Sequence, residues 1–195
     1  MKELRYQNRL SKKNRLMRLV WGVTYWLLYR PTPRWTLHGW RNALLRMFGA
    51  KIGVGCRIDP SVKIWAPWNI ELGDYVAVAQ GVELYAVDKI RIGSKVALSQ
   101  RAFICTASHD IRSLKRPLVH SPIMIGNHAW IAAEAMLLPG ITIGEGAVIG
   151  ARSLQRKDAG AWTVWAGNPS TPVGERKIGS ETPDIIQGKY GTENA

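Results

Sequence analysis

One histidine is the chain's candidate for proton transfer. His109 directly precedes thirteen residues, Asp110 to Pro122, that break an otherwise regular sequence pattern and include Arg112, Lys115, Arg116 and His120. Histidine is the side chain that changes charge near neutral pH. Where a coil gives way to a loop, it is placed to be partly exposed and hydrogen-bonded, as a general base must be. A plain solvent-exposed loop histidine fits the same position, and the residue alone leaves both open. The two cysteines, Cys56 and Cys105, have neither metal-ligand nor redox spacing and read as buried, reduced thiols suited to a reducing compartment.

The pattern that His109 interrupts has a period of six. Ile125, Ile131, Leu137, Ile143 and Ile149 each open a six, and so do Ile52, Ile58 and Ile64, then Leu72, Val78 and Leu84, then Ile92, Leu98 and Ile104. The fifth places are mostly small or branched, with Trp68 and Asp88 as exceptions. Two-residue insertions, Ile70-Glu71, Ile90-Arg91 and Ile123-Met124, separate groups of three sixes. A period of six is neither helical nor alternating and predicts a parallel β-helix, an all-β solenoid of stacked triangular turns. Each opening aliphatic would point into a narrow prism, with neighbouring turns paired about 4.8 Å apart. The expected organisation is a helical segment over 1–50, the β-helix over 51–154 with a loop at 109–122, and a short C-terminal extension over 155–195. A long insertion in a solenoid projects from one edge, where function concentrates.

Charge is distributed unevenly. Residues 1–51 hold twelve Lys and Arg against one acidic residue, while the whole chain carries a net +13. Four of nine tryptophans, Trp21, Trp26, Trp35 and Trp40, lie there too. Leu16, Leu19, Val20, Val23, Leu27 and Leu28 recur at helical spacing, Arg30-Pro31-Thr32-Pro33 ends that helix, and Trp35 to Phe48 reads as a second, closed by Gly49. Two roles suit the segment: capping the open end of the β-helix, and lying at an anionic membrane surface. The apolar run is too short and interrupted to span a bilayer, and no small-residue site of a cleavable leader is legible. No nucleic-acid-binding module accompanies the charge, so no nucleic-acid partner is expected.

Ile125-Gly126-Asn127-His128-Ala129-Trp130-Ile131, Pro139-Gly140-Ile141-Thr142-Ile143-Gly144 and Ala166-Gly167-Asn168-Pro169 resemble the hexapeptide-repeat O-acetyltransferases of the maltose, galactoside and nodulation-sugar group. Arg30-Pro31, Leu37-His38-Gly39-Trp40 and Phe48-Gly49-Ala50-Lys51-Ile52-Gly53 narrow the resemblance to the colanic acid biosynthesis acetyltransferases. It implies a left-handed β-helix, a homotrimer with sites between subunits, and acetyl-CoA as co-substrate without a metal. His109 falls on the catalytic base, and the Ala133 N–H on the oxyanion donor. Trp130, Ala133 and Ala151 would lie along the CoA arm, with Lys157 meeting its phosphates and Arg156, Arg176 and Lys177 as further candidates for them. The family's sugar-binding asparagine aligns near Ala79, so Gln80, Glu83 and Asp110 become the candidate acceptor contacts. Asp110 could equally orient His109 or cap the loop. The implied reaction is acetylation of a sugar hydroxyl on a surface glycan, with lipid linkage of the acceptor left open. It would occur in the cytoplasm or at the inner face of the membrane. Transfer to an amine or a serine hydroxyl is the first alternative. A zinc hydratase on the same fold needs two histidines five apart, which His38, His109, His120 and His128 do not supply.

Overall fold

The computed structural model describes residues 11–179. From Lys51 onward the sixes build a parallel β-helix, each six giving one short strand and successive strands falling in turn on three faces. Face one stacks Lys51–Ile52, Ile70–Leu72, Ile90–Ile92, Ile123–Ile125 and Thr142–Ile143. Face two stacks Arg57–Ile58, Ala77–Val78, Ala97–Leu98, Trp130–Ile131, Val148–Ile149 and Thr163–Gly167. Face three stacks Lys63–Ile64, Glu83–Tyr85, Phe103–Cys105, Met136–Leu137 and Leu154–Gln155.

Register places opener on opener: Ile52 on Leu72, Ile58 on Val78, Ile64 on Leu84. All fourteen aliphatic openers are buried at 9% exposure or less. Their contact with one another is the core, because a prism this narrow has no second layer to bury against. The edge between faces one and two is tight enough to require glycine. A Cβ on Gly73 would lie 2.6 Å from Ser94 Oγ, and one on Gly126 would lie 2.6 Å from Glu145 N. At the exceptional fifth places the inserted residues widen the corner. Ala66 and Ala86 fill the interior there instead of Trp68 and Asp88, which are half-buried.

Each coil donates its N–H groups to the next, as Arg57 N does to Val76 O and Lys63 N to Val82 O. The first coil is therefore left with unpaired carbonyls, and the N-terminal segment supplies donors for them. Trp21 Nε1 donates to Ile64 O at 2.7 Å, Arg41 Nε to Ile58 O at 2.8 Å, Asn42 Nδ2 to Cys56 O at 2.9 Å and Arg46 to Ile52 O. Helix α1 (Lys12–Thr24) starts at Ser11, whose Oγ accepts from Asn14 N, and runs on through wider turns to Tyr29. Helix α2 spans His38–Met47, shorter than the spacing predicts because Leu37 takes a left-handed conformation (φ 56°). Arg41 is fully buried and also donates to Thr32 Oγ1 and Pro33 O. Capping is thus a physical role of this segment. It uses Trp21, Tyr29, Leu44 and Leu45, whereas Leu16, Leu19, Val20, Val23, Leu27 and Leu28 all remain exposed.

At the far end the parallel ladder continues past Leu154. Gln155 occupies the inward place, fully buried, with Nε2 donating to Lys157 O and Oε1 accepting from Ser170 Oγ. Ala159 still bridges Ile143, and Thr163–Gly167 pairs with Val148–Ile149 before folding back on Ser170–Glu175.

Candidate active site

The break in the repeat is a β-hairpin on the edge between faces three and one. Ala107–His109 pairs antiparallel with Leu118–His120, His109 lying opposite Leu118. His109 is exposed, and its Nδ1 donates to the Arg116 carbonyl at 2.8 Å. A carbonyl can only accept, so the bond fixes the proton of the neutral ring on Nδ1 and makes Nε2 the basic nitrogen. Asp110 ties the loop together. Its Oδ1 accepts from Arg112 N at 3.0 Å and Arg112 Nε at 3.2 Å, closing the hairpin tip.

The root of the hairpin is tied to the coil below. His120 Nδ1 meets Asp88 Oδ2 at 2.7 Å, and Thr106 Oγ1 donates to Tyr85 O at 2.8 Å while accepting from Asp88 N. Burial pushes the Asp88 carboxyl up, but the bonds from His120 and Lys89 N outweigh it and hold the group below its ordinary value. The sequence flags Asp88 only as an irregular fifth residue, and nothing in the spacing connects it with His120.

Gln80, Trp130, Ala133 and Ala151 lie on or beside a different edge. Between faces two and three, Pro60, Gln80, Gln100, Ala133 and Ala151 stack in one column, each following a residue whose N–H joins the ladder. The Ala133 carbonyl accepts from Arg152 N, and its own N–H has no acceptor among the described residues. Beside this column the outer side of face two reads Ala77, Ala97, Trp130, Val148, Val164, with Trp130 Nε1 donating to Ser99 Oγ at 2.9 Å. Glu134, missed from sequence, accepts there from both Arg101 and Arg152, and those bonds hold its carboxyl below the ordinary range. Lys157 follows the last strand of face three, on the hairpin's edge, and is exposed. Arg176 Nη1 is spent on His128 O and Gly146 O. Glu83, on the outer side of face three, pairs with Lys63 at 3.4 Å. One chain therefore carries the candidate base on one edge and the candidate acyl-binding column on another. No group of three or more His, Cys, Asp or Glu side chains among the described residues is placed to hold a metal ion.

The bacterial transferase hexapeptide family, described by six repeats, matches residues 122–154. The colanic acid biosynthesis acetyltransferase WcaF of Escherichia coli (strain K12) is 42% identical over 157 residues, covering 80% of this chain and 86% of that protein. The chain belongs to the hexapeptide-repeat acetyltransferases. A maltose O-acetyltransferase from Clostridium difficile 630 superposes with a TM-score of 0.73 at 27% identity, covering 86% of this chain and 90% of that one. A hexapeptide-repeat acetyltransferase from Vibrio cholerae O1 biovar eltor, solved with acetyl coenzyme A, shares the fold (TM-score 0.79, 23% identity, 88% and 93% covered).

Proposed function

We propose that the chain transfers acetyl from acetyl-CoA to a sugar hydroxyl during exopolysaccharide or other surface-glycan biosynthesis. The observation that carries this is the fixed tautomer of His109, whose Nδ1–H is held by the Arg116 carbonyl so that Nε2 can accept a proton. In the reaction Nε2 takes the hydroxyl proton as the sugar oxygen attacks the thioester carbonyl. The tetrahedral oxyanion accepts from the Ala133 N–H, the C–S bond then breaks, and the departing thiolate takes its proton from the imidazolium. General-base help contributes about 10²–10⁴-fold, and one oxyanion donor about 10²–10³-fold. Juxtaposition of two bound substrates supplies much of the rest. The smooth outer side of face two, with Trp130 standing above small residues, suits an extended pantetheine arm, and Lys157 a phosphate.

The separation of His109 from the Ala133 column supports a homotrimer in which one subunit's hairpin meets its neighbour's coils. Three heterologous contacts around an axis close without leaving a free surface. No helix among the described residues is long and apolar enough to cross a membrane. The exposed aliphatic stripe of α1, beside Lys12, Lys13 and Arg15, supports a peripheral position at the cytoplasmic face. Incubation with labelled acetyl-CoA and fractionated cell glycans, followed by mass analysis, tests the function. The expected product is an O-acetylated glycan, and acetylation confined to amines or proteins would refute it.

A further inference from the structure

Two grooves meet at Arg18. One, of about 290 Å³, lies between α1 and face three and is lined by Arg18, Trp21, Tyr25, Trp65, Glu83 and Tyr85 among others. The second, of about 450 Å³, runs along the outer side of α1 over Leu19, Val23, Trp26 and Leu27. Arg18 and Gly22 line both. The grooves differ in chemistry. The first has an aromatic floor that continues up the coils: Trp65 and Tyr85 stand 5.8 Å apart, and Tyr85 and Phe103 6.2 Å, each pair edge-on. Phe103 begins the strand that leads to the hairpin, and Tyr85 O holds Thr106 at its root. The second is aliphatic and exposed, with Leu19, Trp26 and Leu27 each about two-thirds accessible (66%, 66% and 67%).

At the junction the Arg18 guanidinium lies 3.8 Å above the Trp65 ring. Stacking occupies the faces of the planar group and leaves its N–H edge for oxygen ligands. Among the described residues Arg18 has this ring partner and no carboxylate partner, although Glu83, which pairs with Lys63, lines the same groove. Burial lowers the Arg18 pKa, with Tyr85 opposing, so an arriving anion would relieve a partly desolvated cation.

We infer that Arg18 seats the phosphate of a lipid-linked saccharide, with the lipid chain along the outer groove of α1 and the sugars along the Trp65–Tyr85–Phe103 ladder toward the hairpin. A lipid-linked saccharide carries an apolar chain, an anion and stackable rings in that order, and the grooves present complements to them in that order. Sugar rings present apolar C–H faces to aromatic side chains, and Glu83 is placed to accept from their hydroxyls. Two coils separate Trp65 from Phe103, about 10 Å at one strand spacing per coil. The inference rests on glycan O-acetylation, and it names the acceptor.

The test is binding, measured on the full-length protein with farnesyl diphosphate, farnesol, inorganic pyrophosphate and dihexanoyl phosphatidylglycerol. Acetyl-CoA affinity and the sedimentation coefficient are followed in parallel. Farnesyl diphosphate should bind at least about tenfold more tightly than any of the other three. Arg18→Ala should weaken it at least about tenfold, the loss of one charge-assisted hydrogen bond, with acetyl-CoA affinity unchanged. Val23→Ser with Leu27→Ser should weaken farnesyl diphosphate and leave pyrophosphate alone. Phosphatidylglycerol binding as tightly as the diphosphate would make the seat a general phospholipid site and overturn the assignment. So would an unaffected Arg18→Ala variant, or dissociation of the oligomer by the α1 substitutions, which would make that stripe a subunit contact. A protein that binds acetyl-CoA and acetylates glycans but ignores farnesyl diphosphate loses this inference and keeps its function.

Discussion

Replacing Ala133 by proline would remove one hydrogen-bond donor from the candidate active site and little else. Ala133 occupies the first central place of a corner whose next residue, Glu134, has φ 60°, the arrangement of a type II turn. Proline is favoured at that place, and Pro60 already stands at the same position of the first coil's corner, although Ser61 after it lacks the positive φ of Glu134. The N–H that proline deletes has no acceptor among the described residues, and the carbonyl that receives Arg152 N remains. The expected stability change is therefore small, between neutral and about 1 kcal/mol stabilising, since proline also restricts the unfolded chain. Catalysis should suffer out of proportion. An oxyanion donor removed in this way costs about 10²–10³-fold in kcat, or roughly 2.7–4 kcal/mol. Release of CoA thiol during glycan acetylation gives kcat, calorimetric titration gives acetyl-CoA affinity, and a thermal melt reports the fold. A folded Ala133→Pro protein within threefold of the parent kcat would refute the oxyanion role. A melting point lowered by more than a few degrees would refute the account of the corner.

His109→Ala should lower kcat at least about a hundredfold with little change in stability, because the side chain is exposed and the backbone pairing stays. Mixed oligomers of His109→Ala and Ala133→Pro subunits should regain activity if the site lies between chains, and remain dead if it does not. Arg41→Ala strands the buried Ile58 carbonyl, removes the donor to Pro33 O and opens a cavity, so a loss of about 3–5 kcal/mol is expected, seen as a fall in Tm of roughly 6–20 °C. The depressed Asp88 carboxyl contributes stability above its ordinary unfolded value near 3.9 and loses it as pH falls through the lower folded value. Asp88→Asn should accordingly loosen hairpin amides in hydrogen exchange at pH 6, by about 0.5 kcal/mol, and change nothing near pH 2. Co-flotation with anionic vesicles should exceed that with neutral ones and weaken in salt, and equal recovery with both would leave capping as the role of the N-terminal segment.

The β-helix was legible because one slot per face must be filled from inside, and the period of six reports that slot directly. Where the inward residue is not aliphatic the signal fails while the structure continues, as at Gln155, whose burial depends on Ser170 and on the Lys157 carbonyl. His109 and the break after it could be read from the sequence, but the hairpin could not. Its two strands lack the alternation that marks a half-buried strand, and its anchor joins His120 to a residue on another coil. Arg41 was hidden by its neighbours. In a segment so basic it reads as one more surface cation, yet the unpaired carbonyls of the first coil and the Thr32–Arg34 turn take up its donors.

Helix α1 shows why spacing alone misleads about partners. Residues at i, i+3, i+4 and i+7 share a side, but periodicity does not say what that side meets. Here the side facing the β-helix is aromatic: Trp21 packs against Tyr25, Tyr29 and Phe48, and its indole N–H reaches the Ile64 carbonyl. An aliphatic side could not have served, because the open coil presents carbonyls as well as an apolar interior, and leaving them unpaired costs more than the burial returns. The leucine and valine stripe is consequently turned outward, against the ordinary tendency to bury it. A cap needs only one face of a helix, and a soluble helix would carry polar residues on the other. The second face is instead apolar, flanked by lysine and arginine, and continuous through Arg18 with the groove beneath the helix, and the proposed membrane position and the proposed acceptor route both rest on that one arrangement.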